Sequence, residues 1–336
     1  MTPSQETMDG DAPAGAGPIR KLSLRLNAVA FESDGILSFE FTDPSGVDLP
    51  AFTAGAHIDV HAAPGLIRQY SLLSDPADRK RYRIAVLNEP AGRGGSKTMH
   101  ETLRPGQIVT VSEPRNQFPL NAGAKRHLLL AGGIGVTPMM AMTAELETRG
   151  ADWEMHYCTR APEKTAFLDR LAPHIAAGRV HLHHDGGDPA KGLDIAALLR
   201  DAPDGRHLYY CGPKRFMAAV AGASAHWPEG AVHFEFFSSP DDRAKDTAAN
   251  TPFQIKLKRS GDVLEVPADK SIVEVLREHG HYVDTSCEDG FCGTCLTPYS
   301  GGEPEHRDNV LGDSERDRYV LICCARAMVS PLVLDI

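Results

Sequence analysis

Three cysteines in the string CEDGFCGTC, Cys287, Cys292 and Cys295, carry the most telling chemistry of this 336-residue chain, with Cys323 and Cys324 far downstream. Gaps of four and two residues plus one remote partner match the plant-type spacing in which thiolates hold a [2Fe-2S] cluster. Gly290 and Gly293 suit a loop folded tightly over a cluster, with backbone N–H groups aimed at its sulfurs. Structural zinc usually takes two close cysteine pairs, or one such pair and a histidine pair, and only one close pair is present. Neighbours on a strand point to opposite faces, so one of Cys323 and Cys324 is expected to face the cluster. A chain built this way moves electrons singly.

Two glycine-rich strings suit phosphate. In HLLLAGGIGVTPMM a buried strand runs into Gly132, Gly133 and Gly135, then Thr137 and Pro138 at the start of a helix, where free N–H groups and the positive dipole end face a ligand. The third spaced glycine of the GxGxxG fingerprint is missing. A later strand ends in YYCGPKRFM, placing Cys211, Gly212 and Pro213 at a second carboxyl edge, and two such turns on one sheet define a cleft. Upstream, Arg68, Gln69, Tyr70 and Ser71 form a strand-like string followed by the loop GRGGS, residues 92–96. An arginine fork, loop N–H groups and the Ser96 hydroxyl are phosphate ligands, and Tyr70 offers a flat surface to a ring system. Standing alone, Arg68 would more simply pair with a carboxylate.

These strings sit on unlike segments. Residues 1–17 lack periodicity and are expected to be disordered. From 18 to 121, short β-rich runs broken by Gly, Pro and Asp predict an antiparallel β-barrel. From 122 to 238, apolar runs alternate with helical stretches, which predicts an α/β domain with a parallel sheet. Residues 239–250 are a polar linker, and 251–336 hold two strand-like runs and a helix before the cysteine loop. Met139, Met140, Met142 and Met155 read as core filler, and Cys158 as a buried small apolar residue. His181, His183 and His184 alternate around Leu182 with no carboxylate and histidine constellation evident beside them, so they read as strand residues.

Seven cysteines, an odd number, without a leader-like start are expected to be reduced thiols of a cytoplasmic protein. No apolar run approaches the ~18 to 20 residues of a membrane helix. A net charge of -10 disfavours nucleic acid as partner. From residue 252 onward, 15 Asp and Glu face 9 Lys and Arg, an excess suited to steering a basic partner.

The ordered set RQYS, GRGGS, AGGIGVTP, CGP, FEFF and CEDGFCGTC resembles the phthalate dioxygenase reductase and vanillate O-demethylase reductase family over residues 18–336. That resemblance implies a ferredoxin-NADP reductase-like pair of domains, a C-terminal β-grasp ferredoxin domain, FMN, NADH and one [2Fe-2S] cluster. Carried over by motif, it implies that Arg68, Tyr70, Ser71, Ala85, Val86, Leu87, Gly94, Gly95 and Ser96 bind the flavin. Gly132, Gly133, Gly135, Thr137 and Pro138 would hold the dinucleotide pyrophosphate, with Cys211, Gly212 and Pro213 near the nicotinamide. Phe237, favoured over Phe236, would cover the flavin; Asp185 would touch a ribose or cap its own loop. VLICCARA is similar to the VLTC segment of plant-type ferredoxins with Cys323 in register, making Cys323 the fourth cluster ligand.

A nicotinamide gives up two electrons together and the cluster takes one at a time, so a flavin between them is required. The resulting expectation is a monomeric NADH-dependent reductase that supplies a separate oxygenase, of Rieske type, acting on an aromatic substrate. Alternatives are a reductase for a cytochrome P450 and a non-catalytic ferredoxin-type carrier or sensor. No side-chain acid or base is needed for hydride transfer, and none is assigned.

Overall fold

The computed structural model describes residues 20–237 and 250–336, apart from 65, 91, 93, 286, 291, 292, 309 and 310. The N-terminal segment 1–17, the linker except Asn250, and Cys292 lie outside the described residues.

Strands β1 (Lys21–Ser33), β2 (Ile36–Thr42), β3 (Ala56–Ala63), β4 (Leu66–Ser71), β5 (Tyr82–Leu87), β6 (Ile108–Ser112) and β7 (Arg115–Asn116) form the first sheet, with helix α1 (Gly95–Thr102) packed beside it. Every pairing is antiparallel, in the order β4-β3-β6-β1-β2-β5, with β7 on β3. Leu73 N donates to Arg83 O at 2.8 Å, bringing the chain after β4 onto β5 and closing the barrel. Alternate residues fill it: Ile58 and Val60 of β3 meet Leu24, Leu26, Phe39, Phe41 and Ile84. Helix α1 was not expected. The GRGGS string opens it, because Gly94 adopts φ 82 and turns the chain into the helix.

The second sheet comprises β8 (Arg126–Gly132), β9 (Asp152–Thr159), β10 (Val180–His184), β11 (Arg206–Cys211) and β12 (Val232–Glu235), all parallel in the order β10-β9-β8-β11-β12. Helices α2 (Val136–Arg149), α3 (Leu168–Ala176), α4 (Ile195–Leu198) and α5 (Lys214–Ala223) flank it. Both faces of β8 are covered, which is why HLLLAGG reads as a continuous apolar run. Leu129 packs with Met139, Met142 and Tyr157 on one face, while Leu128 and Leu130 pack with Met217, Val220 and Trp227 on the other. The four methionines named above are buried core, as expected. Cys158, expected to be buried, is only half-buried on β9, one strand in from the sheet edge.

The third sheet contains β13 (Phe253–Leu257), β14 (Val263–Val266), β15 (Leu296–Glu305), β16 (Tyr319–Leu321) and β17 (Arg326–Leu334), with helices α6 (Ile272–Glu278) and α7 (Asp313–Arg316). Its order is β14-β13-β17-β15-β16; β13 and β17 are parallel and the other pairs antiparallel. Ser271 and Glu274 cap α6 reciprocally. Cys323 and Cys324 lie in a turn after β16, so strand alternation does not separate them; both are buried. Among the described residues no helix is long and apolar enough to cross a membrane.

Candidate functional site

Adjacent parallel strands β8 and β11 end at the same edge, and their turns touch there. After β8, Gly133–Gly135 form one 3-10 turn that runs into α2, with Gly135 as its N-cap and Pro138 in its first turn. A Cβ on Gly135 would stand 2.2 Å from Cys211 O, and one on Gly212 would stand 3.0 Å from the Gly132 Cα. Side chains are sterically excluded at both turns, leaving bare backbone facing the cleft. Gly132, Gly133, Gly135, Thr137 and Pro138 are therefore gathered with Cys211, Gly212 and Pro213. Asp185 follows β10 and accepts a hydrogen bond from Gly187 N at 2.7 Å, so it caps its own loop.

On the barrel, Arg68 and Tyr70 occupy alternate positions of β4, opposite Val60 and Ile58 of β3. Gly95 lies directly against Arg68: a Cβ there would come within 2.5 Å of Arg68 Cγ. The Ser96 hydroxyl accepts from Glu89 N at 3.0 Å, and His100 Nε2 pairs with Val86 O at 2.8 Å, tying α1 to β5 beside Ala85 and Leu87. A guanidinium, two glycines and a helix N-terminus thus converge on one spot, the donor set of a phosphate cradle. These residues fit a flavin nucleotide.

Barrel and parallel sheet meet where the two halves face each other. Ser71 Oγ donates to Glu235 Oε2 at 3.0 Å, and Glu235 stands beside Cys211 in the β11–β12 register. His57 Nδ1 lies 3.9 Å from Glu235 Oε1, and among the described residues neither ring nitrogen has a hydrogen-bond partner. Burial pushes the Glu235 carboxyl up to about 7, against the Ser71 hydrogen bond. Burial, then the nearby Glu235, pushes the Cys211 thiol well up, so it stays protonated. Burial, then Arg115, holds His57 down at about 3. Two residues beyond the strand Phe237 is exposed, whereas Phe236 packs on the sheet core, edge-on to Phe234. Sequence reading missed His57 and Glu235; the acidic residue inside FEFF was the available signal.

In the third domain Cys287, Cys295 and Cys323 are all buried, and the Cys323 thiol meets those of Cys287, Cys295 and Cys324. Asp289 N points at Cys287 Sγ, 3.4 Å away. Gly290 has φ 74, and a Cβ there would press on Cys324 Sγ at 2.7 Å. This donor set fits an iron-sulfur cluster. Thr294, next to Cys295, hydrogen-bonds through Oγ1 to Asp59 Oδ2 of the barrel at 3.5 Å, and Asp59 pairs with Arg115 at 2.8 Å. Lys21 and Asp284 add a second bridge between the two domains at 2.9 Å.

Comparison with known proteins agrees with this arrangement. Residues 255–328 match the family described as 2Fe-2S iron-sulfur cluster binding domain. The reductase subunit of tert-butanol monooxygenase / tert-amyl alcohol desaturase from Aquincola tertiaricarbonis is 48% identical, covering 96% of this chain and 98% of its own. Vanillate O-demethylase oxidoreductase from Pseudomonas sp. (strain HR199 / DSM 7063) is 43% identical, covering 93% and 98%. The chain belongs to the family of phthalate dioxygenase reductase and vanillate O-demethylase oxidoreductase. The solved structure of phthalate dioxygenase reductase, described as modular for electron transfer from pyridine nucleotides to [2Fe-2S], superposes with a TM-score of 0.73 at 43% identity, covering 94% of this reductase and 98% of that chain.

One expectation fails on this reductase's parallel sheet. These histidines do have a constellation beside them: His156 of β9 is in register with His181 and within reach of His183, and Glu154 of the same strand joins His156 and His181. Glu154 Oε1 is 3.0 Å from His156 Nε2 and 3.3 Å from His181 Nε2. Burial above all holds His156 at about 4, against the pull of Glu154.

Proposed function

We propose that this reductase carries electrons from NADH, by way of FMN in the barrel and the [2Fe-2S] cluster, to a separate Rieske-type aromatic oxygenase or O-demethylase. The observation that carries this reading is the double junction of the barrel: Ser71 bonded to Glu235 beside Cys211 on one side, and Asp59 bonded to Thr294 beside Cys295 on the other. The barrel thereby touches the parallel-sheet domain through Ser71 and the cysteine domain through Asp59. A bound flavin supplies the conversion of a two-electron donor into single electrons.

The residues divide the remaining work. Arg68, Gly94, Gly95 and Ser96 hold the flavin phosphate; Tyr70, Ala85, Val86 and Leu87 line its body, and Phe237 covers it until nicotinamide enters. Gly132, Gly133, Gly135, Thr137 and Pro138 take the pyrophosphate, and Cys211, Gly212 and Pro213 form the nicotinamide wall. Glu235 holds a proton on Oε1 or Oε2 in part of the molecules at neutral pH, with Ser71 Oγ positioned to exchange it. Cys287, Cys292, Cys295 and Cys323 ligate the cluster. The corresponding domains are 18–121, 122–238 and 251–336, joined by the linker 239–250. A net charge of -6 from residue 252 onward, from 15 acidic and 9 basic residues, suits a basic docking face on the oxygenase.

Anaerobic addition of NADH, followed by visible and electron paramagnetic resonance spectra, tests the sequence of carriers. Bleaching of the flavin band and appearance of a reduced [2Fe-2S] signal are expected; absence of either sinks the proposal. Heat release of the cofactor and its mass distinguish FMN from FAD.

A further inference from the structure

We propose that Glu154, His156 and His181 form a binding site for a divalent first-row transition metal ion, zinc by its ligand chemistry, which staples the edge strand β10 to β9. The site lies on the face of the parallel sheet that carries Leu128 and Leu130, beyond the reach of helix α5, and it shares no residue with the flavin, dinucleotide or cluster sites.

The geometry is close to what such an ion requires. Zinc bonds of ~2.0–2.1 Å to nitrogen and carboxylate oxygen, arranged tetrahedrally, place neighbouring ligand atoms about 3.3 Å apart. Glu154 Oε1 stands 3.0 Å from His156 Nε2 and 3.3 Å from His181 Nε2, and all three ligand atoms lie within 4.8 Å of one another. Two edges of the ligand triangle are already at coordination length, and the third is within 4.8 Å. Two imidazoles and one carboxylate leave the fourth position to water, and the exposed sides of Glu154 and His181 provide the entry path.

The surroundings do what outer groups do at metal sites. A ligating imidazole must present a bare nitrogen, and a partner on the opposite ring nitrogen selects that tautomer. His156 Nδ1 is 3.0 Å from His183 Nε2, so an Nδ1–H donated to His183 frees Nε2 for the ion. Arg206 Nη2 donates to Glu154 Oε2 at 3.2 Å, which orients the carboxylate and leaves Oε1 for coordination. The stacked His156 and His181 rings, with centroids 4.9 Å apart, limit the rotation of each other. A simple ion pair would need one imidazole on the carboxylate; this one faces two, and both approach the same oxygen.

The test uses the full-length holoprotein without a polyhistidine tag. It is washed with EDTA, incubated with zinc chloride, desalted, and analysed for zinc and iron by mass spectrometry. The wild type should retain one zinc per chain more than a His156→Gln/His181→Gln double variant, at equal iron content and equal NADH-driven ferricyanide reduction. Glu154→Gln, which keeps shape and removes the charged ligand, should also lose the zinc and decides the matter if the double variant fails to fold. His183→Phe should weaken zinc about 10–100-fold by releasing the tautomer. Zinc absent from the wild type, or retained equally by Glu154→Gln, overturns the proposal.

Discussion

Replacing Glu235 by glutamine should change how the stability of the parallel-sheet domain depends on pH. The side chain is 13% exposed, and burial raises the carboxyl from its ordinary 4.5 to about 7 while the Ser71 hydrogen bond opposes the rise. A raised acid keeps a proton in the folded protein that the unfolded chain releases. Its stabilisation is therefore full below about 4.5 and is lost as pH climbs through about 7. At ~1.36 kcal/mol per unit, the wild type should lose roughly 3 kcal/mol relative to Glu235→Gln across that window. Buried histidines work in the opposite sense. His57, held at about 3, and His156 and His233, held at about 4, gain protons on unfolding, so they destabilise as pH falls below 6.5. They are common to both proteins, and subtracting one curve from the other isolates Glu235. Urea unfolding followed by tryptophan fluorescence reads the right domain, because both tryptophans, Trp153 and Trp227, lie in its cores. A difference that stays flat from pH 4.5 to 7, or that grows with pH, refutes a buried, proton-holding Glu235.

Cys323→Ser should abolish the cluster, with loss of iron and of the reduced signal, whereas Cys324→Ser should keep both; the reverse result exchanges the fourth ligand. Arg68→Ala removes a charge-assisted phosphate contact worth ~1.5–3 kcal/mol, so flavin retention measured by fluorescence on dilution should weaken about 10–150-fold. Gly135→Ala drives a Cβ toward Cys211 O, and should raise the KM for NADH while leaving the iron content unchanged. Thr294→Val cuts the hydrogen bond to Asp59 and should slow cytochrome c reduction, which needs the cluster, more than ferricyanide reduction, which the flavin alone supports.

What the sequence made legible was local. The run Leu128–Ala131 announces a strand covered on both faces, the alternation of β3 announces a barrel wall, and the CEDGFCGTC spacing announces a 2Fe-2S cluster binding domain. What it hid depends on tertiary contact. Helix α1 begins where Gly95 lies under Arg68, a contact between β4 and a distant loop that no propensity records. Cys323 and Cys324 occupy a turn whose direction is set by packing over Gly290, so period-two reasoning had no strand to act on. Nothing in the sequence joins Glu154 and His156 to His181; only the pairing of β9 with β10 brings them together. Glu235 finds Ser71 across 164 residues, and Thr294 finds Asp59 across 235.

Ser71 ends β4 opposite His57 of β3, and Asp59 is on β3 itself, so both contacts bear on β3. His57 and Asp59 are two apart on β3 and therefore point to the same side, away from the barrel core. The first approaches Glu235 of the dinucleotide domain and the second holds Thr294 of the cluster domain. Between them Ile58, and beyond them Val60, are locked into the barrel with no exposure. Ser112 Oγ accepts the Asp59 N–H at 2.9 Å, and Arg115 Nη2 fixes its carboxylate. Close-packed residues on one face and the Thr294 and Arg115 bonds to Asp59 on the other hold this strand, and so tie the two junctions together. The junctions with Glu235 and with Thr294 are thus spaced by two residues of one strand, β3.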